Sequence, residues 1–370
     1  MISLDPFFTP FSCKSLRLAN RFLMAPMSRY FAPGGILTQA SADYYRRRVE
    51  GGVSGVITEA VAIDRPGSVA ADTVPHFFGE QALAAWDRAR EGVAAAGGAM
   101  IPQLWHVGGC TDFNYPDSPH DPLESPSGLV GAGIEGGRIM SAADIDAVIA
   151  SFVRGALDAR RLGFPAVELH GAHGYLFDQF FWDVTNRRQD RYGGTDIRSR
   201  ARFAAEVVAA IRAATGPDFT IIFRFSQWKT YDYAAKIATT PAELETWIGP
   251  LADAGVDIFH CSERRFWEPA FAQEDDRNLA GWTKHVTGRP TITVGSVGLD
   301  RDLMQDFVDG QSVPSLASLD ELARRFDRGD FDLVALGRVL LADPDWLTKV
   351  RTGAVDALQP YSRACMDTLY

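Results

Sequence analysis

Hydrophobic and polar positions in this chain switch between a period near two and a period near four almost from end to end. Short apolar or β-branched runs predict eight strands: Arg21–Pro26, Ser54–Ala60, Met100–His106, Ala166–His170, Phe219–Phe225, Asp257–Cys261, Thr291–Val294 and Leu333–Leu336. Helical patterns lie between them, with recognisable starts. Thr240-Pro241-Ala242-Glu243 offers an N-cap, a first-turn proline and a glutamate to close a capping box. Ser318-Leu319-Asp320-Glu321 has the same form without the proline, and Ser141-Ala142-Ala143-Asp144 opens a pattern that runs to Leu162. Strands alternating with helices at this length predict an α/β chain. The expected fold is a single (β/α)8 TIM barrel over residues 1–370, with the segment before the first strand as an N-terminal lid.

A doubly wound open sheet is the rival architecture. It would place a glycine-rich dinucleotide turn after an early strand, whereas the first strand here ends in Ala25-Pro26-Met27-Ser28. Two long loops, Gly108–Arg138 and Ser262–Asn278, follow strands and would fall at the C-terminal face of a barrel. Long loops in that position usually carry function.

Composition narrows the classes. A net charge of −10 argues against a nucleic-acid binder, which needs a basic face. No apolar run approaches the roughly 18 residues of a membrane span. The opening MISLDPFFTPF lacks a basic n-region, so no signal peptide is expected. Cys13, Cys110, Cys261 and Cys365 lie far apart and form no C-x-x-C, which disfavours a disulfide framework, a zinc ribbon or an iron–sulfur ligand run. A reducing, cytoplasmic setting is the expectation.

The predicted strand ends carry unusual residues. The fourth strand ends at His170, and His173 and Tyr175 follow within six residues. Two imidazoles and a phenol in one turn can hold and protonate a polarised centre. Arg224 sits in the apolar run Ile221–Phe225 and needs a partner such as Glu168 or Glu59, or a cofactor that gains negative charge. Gln103, also within an apolar strand, offers a donor and an acceptor in one plane, suited to a heterocycle edge or to the core. Strands seven and eight end in Gly295-Ser296 and Gly337-Arg338, where barrels often bind phosphate with backbone N–H groups and a forked cation.

These residues together resemble the Old Yellow Enzyme family of FMN-dependent NAD(P)H:flavin oxidoreductases and ene-reductases. The most specific stretch is His170-Gly171-Ala172-His173-Gly174-Tyr175-Leu176, continued by Asn186-Arg187-Arg188, Asp190-Arg191-Tyr192-Gly193-Gly194 and Arg198. Leu18-Ala19-Asn20-Arg21 and Gly337-Arg338-Val339-Leu340-Leu341-Ala342-Asp343-Pro344 agree with it in order and position.

The resemblance implies FMN as cofactor, NAD(P)H as electron donor and ping-pong hydride transfer to an electron-poor C=C bond of an enone, enal, nitroalkene or maleimide. It implies that Pro26, Met27, Ser28 and Ala60 line the flavin, with Ser28 where relatives carry threonine or cysteine. Gln103 would meet the pyrimidine edge, Arg224 would face N1 and O2, and Gly295, Ser296, Gly337 and Arg338 would hold the phosphate. His170 and His173 would bind the activating oxygen, with His170 also against the flavin. Tyr175 would deliver the proton, and Tyr30 and Trp267 would border the substrate. The partner is a small molecule, with no nucleic acid and no membrane, and dimers and tetramers both suit such barrels. Phe266-Trp267-Glu268-Pro269 departs from the general family pattern and marks a divergent subgroup.

Two other readings stand beside this one. An oxidative dehydrogenase or N-demethylase would use Trp105, Trp182, Trp228, Tyr231 and Trp267 as a cage for a cationic amine. A metal-dependent barrel hydrolase would use His170, His173 and His106 with Asp183, although H-E-x-x-H is absent and no metal is expected.

Overall fold

The computed structural model describes residues 4–69, 71–110, 123–302, 305, 310–315 and 317–370. Eight parallel strands, β1 (Phe22–Met24), β2 (Gly55–Ala62), β3 (Ala99–Trp105), β4 (Ala166–His173), β5 (Thr220–Lys229), β6 (Ile258–Ser262), β7 (Thr291–Val294) and β8 (Leu333–Leu336), close into a barrel in chain order. The barrel shuts where β8 pairs with β1, Val334 opposite Phe22, which rules out the open doubly wound sheet. The predicted limits of β7 and β8 hold. Strands β4 and β5 run on past the expected His170 and Phe225, because polar residues that look like loop continue to pair, His173 with Lys229.

Helices α1 (Gln39–Glu50), α2 (Glu80–Ala95), α3 (Ala142–Arg161), α4 (Leu176–Phe181), α5 (Ile197–Arg200), α6 (Arg202–Thr215), α7 (Pro241–Ala254), α8 (Leu279–Thr287), α9 (Ala317–Asp327) and α10 (Arg338–Ala342) follow the strands. Ser141 forms the full capping box with Asp144 at the start of α3. Thr240 caps α7 by accepting from Glu243 N–H, but the Glu243 carboxylate turns back to Thr239, so the box is not closed on the cap residue. Ser318 is not a cap. It lies inside the first turn of α9, where its hydroxyl accepts from Gly298 N–H and donates to the Ser315 carbonyl, tying two loops together.

Alternation along the strands splits the apolar residues into two cores. Outward-facing side chains such as Phe223, Phe225 and Phe259 pack against the helices. Inward-facing Leu23, Ile57, Ile101, Ile222, Ile258, Ile292 and Leu333 fill the lower barrel together with Leu16 and Leu18. Those two leucines come from an antiparallel hairpin, Phe11–Cys13 with Leu16–Leu18. The hairpin is held at the strand entrances by Leu16 N–H to Thr220 Oγ1 (3.2 Å) and Ser15 Oγ to the Pro165 carbonyl (2.6 Å). The N-terminal lid is therefore a plug at the bottom of the barrel, at the end opposite the long loops.

Residues 111–122 of the first long loop lie outside the described residues. Its remainder is pinned by Glu124, whose carboxylate meets His106 Nε2 (3.0 Å), Arg65 (2.7 Å) and Arg138 (2.7 Å). Those partners hold the carboxyl down at about 2 against the burial that would raise it. Among the described residues no helix is long and apolar enough to cross a membrane.

Candidate active site

Two steps up the same inward-facing positions, the barrel changes chemistry. On β4 the series Ala166, Glu168, His170 passes from apolar to polar. On β5 it is Ile222 then Arg224, and on β6 Ile258, His260 and Ser262. The register puts His170, Arg224 and His260 in line across three adjacent strands. All of these polar side chains are buried.

Glu168 organises the layer. One carboxylate oxygen accepts from the Gln103 amide at 2.7 Å and the other meets His260 Nδ1 at 2.7 Å. Arg224 has no ion pair of its own among the described residues; it feels the Glu168 charge at longer range, and burial pulls its guanidinium down to about 10. Two nitrogens here are buried without a hydrogen-bond partner, Arg224 Nε and His260 Nε2. Orphaned polar atoms in a buried layer are costly and call for a partner.

At the top of this layer, the last residues of β4 and the turn after it bring His170, His173 and Tyr175 together. The two imidazole centroids are 5.2 Å apart, and the Tyr175 ring lies 5.0 Å from His170, edge to face. Gly171 is required between the histidines, since a Cβ there would lie 2.4 Å from the Phe223 ring. His173 adopts a left-handed backbone (φ 68°), held by its N–H to Ser226 Oγ (3.0 Å) and by Thr230, which donates to its carbonyl. Its ring stacks on Trp228 at 4.3 Å, and its Nε2 meets Ser262 Oγ at 2.8 Å. Both imidazoles are held well below their ordinary range, first by desolvation and then by the Arg224 charge, so they are neutral near pH 7. Beneath the turn, Lys229 Nζ lies 2.7 Å from Asp178 in a fully buried ion pair, and the second Asp178 oxygen accepts from Gly174 N–H.

Pro26, Met27 and Ser28 leave β1 as an irregular strap. Glu59 anchors its continuation by accepting from the N–H groups of Arg29 (2.8 Å) and Tyr30 (3.2 Å). Ala60 lies beside Gln103 in the β2–β3 register, and Tyr30 and Tyr175 pack against the same apolar cluster.

After β7 and β8, Arg338 donates to Ser296 Oγ at 3.0 Å, so the two expected phosphate loops meet. Ser296, like Tyr30 and His173, is a non-glycine residue with positive φ. Three of the four such residues described lie at this end of the barrel, where strained backbone is most often kept for function. A Cβ at Gly295 would lie 2.7 Å from the Glu263 carbonyl, so glycine is needed there for packing. At Gly337 the nearest atom would be Met27 Sδ at 3.6 Å, which leaves room beside the strap. The orphaned Arg224 and His260 nitrogens, the open side of Gly337 and the Arg338–Ser296 pair fit a planar, phosphate-bearing cofactor spanning the mouth.

Other sequence candidates go elsewhere. His106 uses Nε2 toward Glu124 and Nδ1 toward Gly108 N–H, and Asp183 is exposed. Among the described residues no three His, Cys, Asp or Glu side chains converge as metal ligands would. Of the amine-cage aromatics, Trp105 on Tyr175 and Trp228 on His173 flank the site itself, whereas Trp267 packs on Phe266. Trp267 is partly buried on the outer core, and its carbonyl accepts from Arg325. His260, Ser262 and the Lys229–Asp178 pair are not among the candidates that the sequence offers. His260 and Ser262 were detectable as polar residues at the inward spacing of β6, while the ion pair joins residues with no local pattern.

A model of the "NADH:flavin oxidoreductase / NADH oxidase family" matches residues 6–357. The chain is 32% identical over 362 residues to a chanoclavine-I aldehyde reductase of Penicillium roqueforti, covering 96% of this chain and 91% of that protein. It is 31% identical over 349 residues to an NADH oxidase of Thermoanaerobacter brockii, covering 92% of this chain and 50% of that one. The solved structure of morphinone reductase in complex with tetrahydroNAD superposes with a TM-score of 0.78 at 26% identity, over 97% of this chain and 93% of that one. The chain belongs to the NADH:flavin oxidoreductase / NADH oxidase family, the Old Yellow Enzyme family, and is an FMN-dependent oxidoreductase that uses NAD(P)H.

Proposed function

We propose that the protein reduces C=C bonds activated by a carbonyl, nitro or imide group, with NAD(P)H as donor. Flavin mononucleotide would supply the hydride-transfer chemistry between the nicotinamide and the β-carbon of the alkene. Pro26, Met27, Ser28, Ala60 and Gln103 would line its ring system, and Gly295, Ser296, Gly337 and Arg338 would hold its phosphate. Arg224 supplies a fixed positive charge toward the ring, and its unpartnered Nε is the donor such a group would satisfy.

His170 and His173 bind the activating oxygen of the substrate as neutral N–H donors. Hydrogen bonds aimed at an oxygen that gains charge favour the transition state over the ground state. Tyr175, edge to face with His170, donates its phenolic proton to the α-carbon. Tyr30, packed against the same apolar cluster as Tyr175, borders the substrate. Two relatives are named as a chanoclavine-I aldehyde reductase and a morphinone reductase, names that suit a carbonyl-bearing substrate.

The observation that carries this reading is the convergence of two neutral imidazoles and a tyrosine above a buried arginine. Anaerobic reduction of the holoenzyme by NADPH, followed by mixing with cyclohexenone, a nitroalkene or N-ethylmaleimide, tests it. Rapid reoxidation with formation of the saturated product is expected. Reoxidation by dioxygen alone, with none of the alkenes consumed, would overturn it.

A further inference from the structure

Ser262 closes β6 and is buried. Its hydroxyl has two neighbours, His173 Nε2 at 2.8 Å and Arg224 Nη2 at 3.4 Å. A guanidinium can only donate, so Ser262 Oγ accepts from Arg224. The serine has one proton left to place. If His173 Nε2 also donated to Oγ, that proton would have no acceptor among the described residues, and an unmade buried hydrogen bond is expensive. The arrangement that satisfies all three groups runs in one direction: Arg224 to Ser262, and Ser262 to His173 Nε2.

We infer that Ser262 is a positioning residue that fixes the tautomer of His173, leaving Nδ1–H as the donor offered to the substrate oxygen. His170 is set independently. Its Nδ1 accepts from Ala172 N–H at 3.4 Å, which leaves its proton on Nε2. The two rings, nearly perpendicular at 89°, therefore present different nitrogens as donors. Stacking on Trp228 and the positive φ of His173 keep the second ring in the plane that Ser262 can reach. Without the serine hydroxyl, His173 can place its proton on either nitrogen, and the fraction carrying it on Nε2 offers the substrate no donor.

The inference rests on the proposed role of His170 and His173 as a clamp, and the test separates the two. Nitrogen NMR of the FMN-bound holoenzyme with isotopically labelled histidine reports which ring nitrogen is protonated. The chain has seven histidines, and a His173→Gln variant assigns the signal. The expected wild-type result is an Nδ1–H tautomer at His173. In Ser262→Ala it should become a mixture, and in Ser262→Thr, which keeps the hydroxyl, it should be restored. Phenol affinity and kcat/KM for cyclohexenone should fall about three- to tenfold in Ser262→Ala, with FMN content unchanged, as for one weakened hydrogen bond. An Nε2–H tautomer in the wild type, or an unchanged tautomer in Ser262→Ala, would overturn the role of Ser262. If the tautomer behaves as inferred but His173→Gln and His170→Ala bind phenol normally, the clamp itself is wrong.

Discussion

The lower and upper halves of the barrel interior follow the same alternation and are built from opposite chemistry. Below, Ile57, Ile101, Ile222, Ile258 and Ile292 fill the space and the hairpin leucines seal it. Above, the same inward positions hold Gln103, Glu168, His170, Arg224, His260 and Ser262, and two buried nitrogens stay unpartnered. The lower half is complete within the chain. Among the described residues of the upper half, Arg224 Nε and His260 Nε2 are left for a bound group to meet. The molecule thus keeps its apolar packing and its candidate chemistry at opposite ends of the barrel axis.

Lys229→Met should do the most damage, because the pair under the histidine–tyrosine turn is an upper-half feature with a structural role. Leaving Asp178 buried without its partner should cost about 3–5 kcal/mol, and adding Asp178→Asn should recover part of it. Chemical denaturation of the two variants checks this. A loss under about 1 kcal/mol would mean that the turn is held by Ser226 and Thr230 alone.

Ile258→Ala probes the lower half. A cavity in that layer should cost about 3 kcal/mol, while activity per folded molecule stays at the wild-type level. A large loss of kcat at full folding would mean that the two halves are coupled.

His170→Ala is the converse. Turnover of cyclohexenone should fall about a hundredfold, within the range for losing one hydrogen-bond donor to a developing oxyanion, with FMN still bound and the melting temperature within a few degrees. Steady-state kinetics and absorbance of the purified protein read both.

Smallest of all is a pH effect confined to the upper half. Both imidazoles titrate well below the ordinary histidine value of 6.5 when folded, so the unfolded chain binds more protons in that interval. Their contribution is therefore present above about pH 6.5 and is lost as pH falls toward their folded values. Replacing both with asparagine should flatten the acid limb of stability against pH, whereas Ile258→Ala should shift the curve without changing its slope.

Much of this architecture was legible from the chain. β7 and β8 were read to the residue, because Thr291–Val294 and Leu333–Leu336 are short β-branched or apolar runs with clear stops. The histidine–tyrosine turn was legible because its residues are close in sequence, and the two glycine turns because each sits at the end of its own strand. Other features were not. The far ends of β4 and β5 were missed because Gly171–His173 and Ser226–Lys229 have loop composition, and only pairing between the strands makes them extended. From sequence the hairpin reads as a lid, since nothing local says which end of a barrel it closes. Glu168 was considered as a partner for Arg224, yet its oxygens go to Gln103 and His260.

The eight-fold alternation, the barrel it implies and the candidate side chains at the strand ends can be read along the chain, because periodicity and strand-end position are properties of neighbours in sequence. Tertiary structure alone decided which buried charges found partners, which nitrogens were left over and which hydroxyl meets which imidazole. Those outcomes depend on register between strands separated by dozens of residues, and a shift of one position would turn each of these side chains to the other face of its strand.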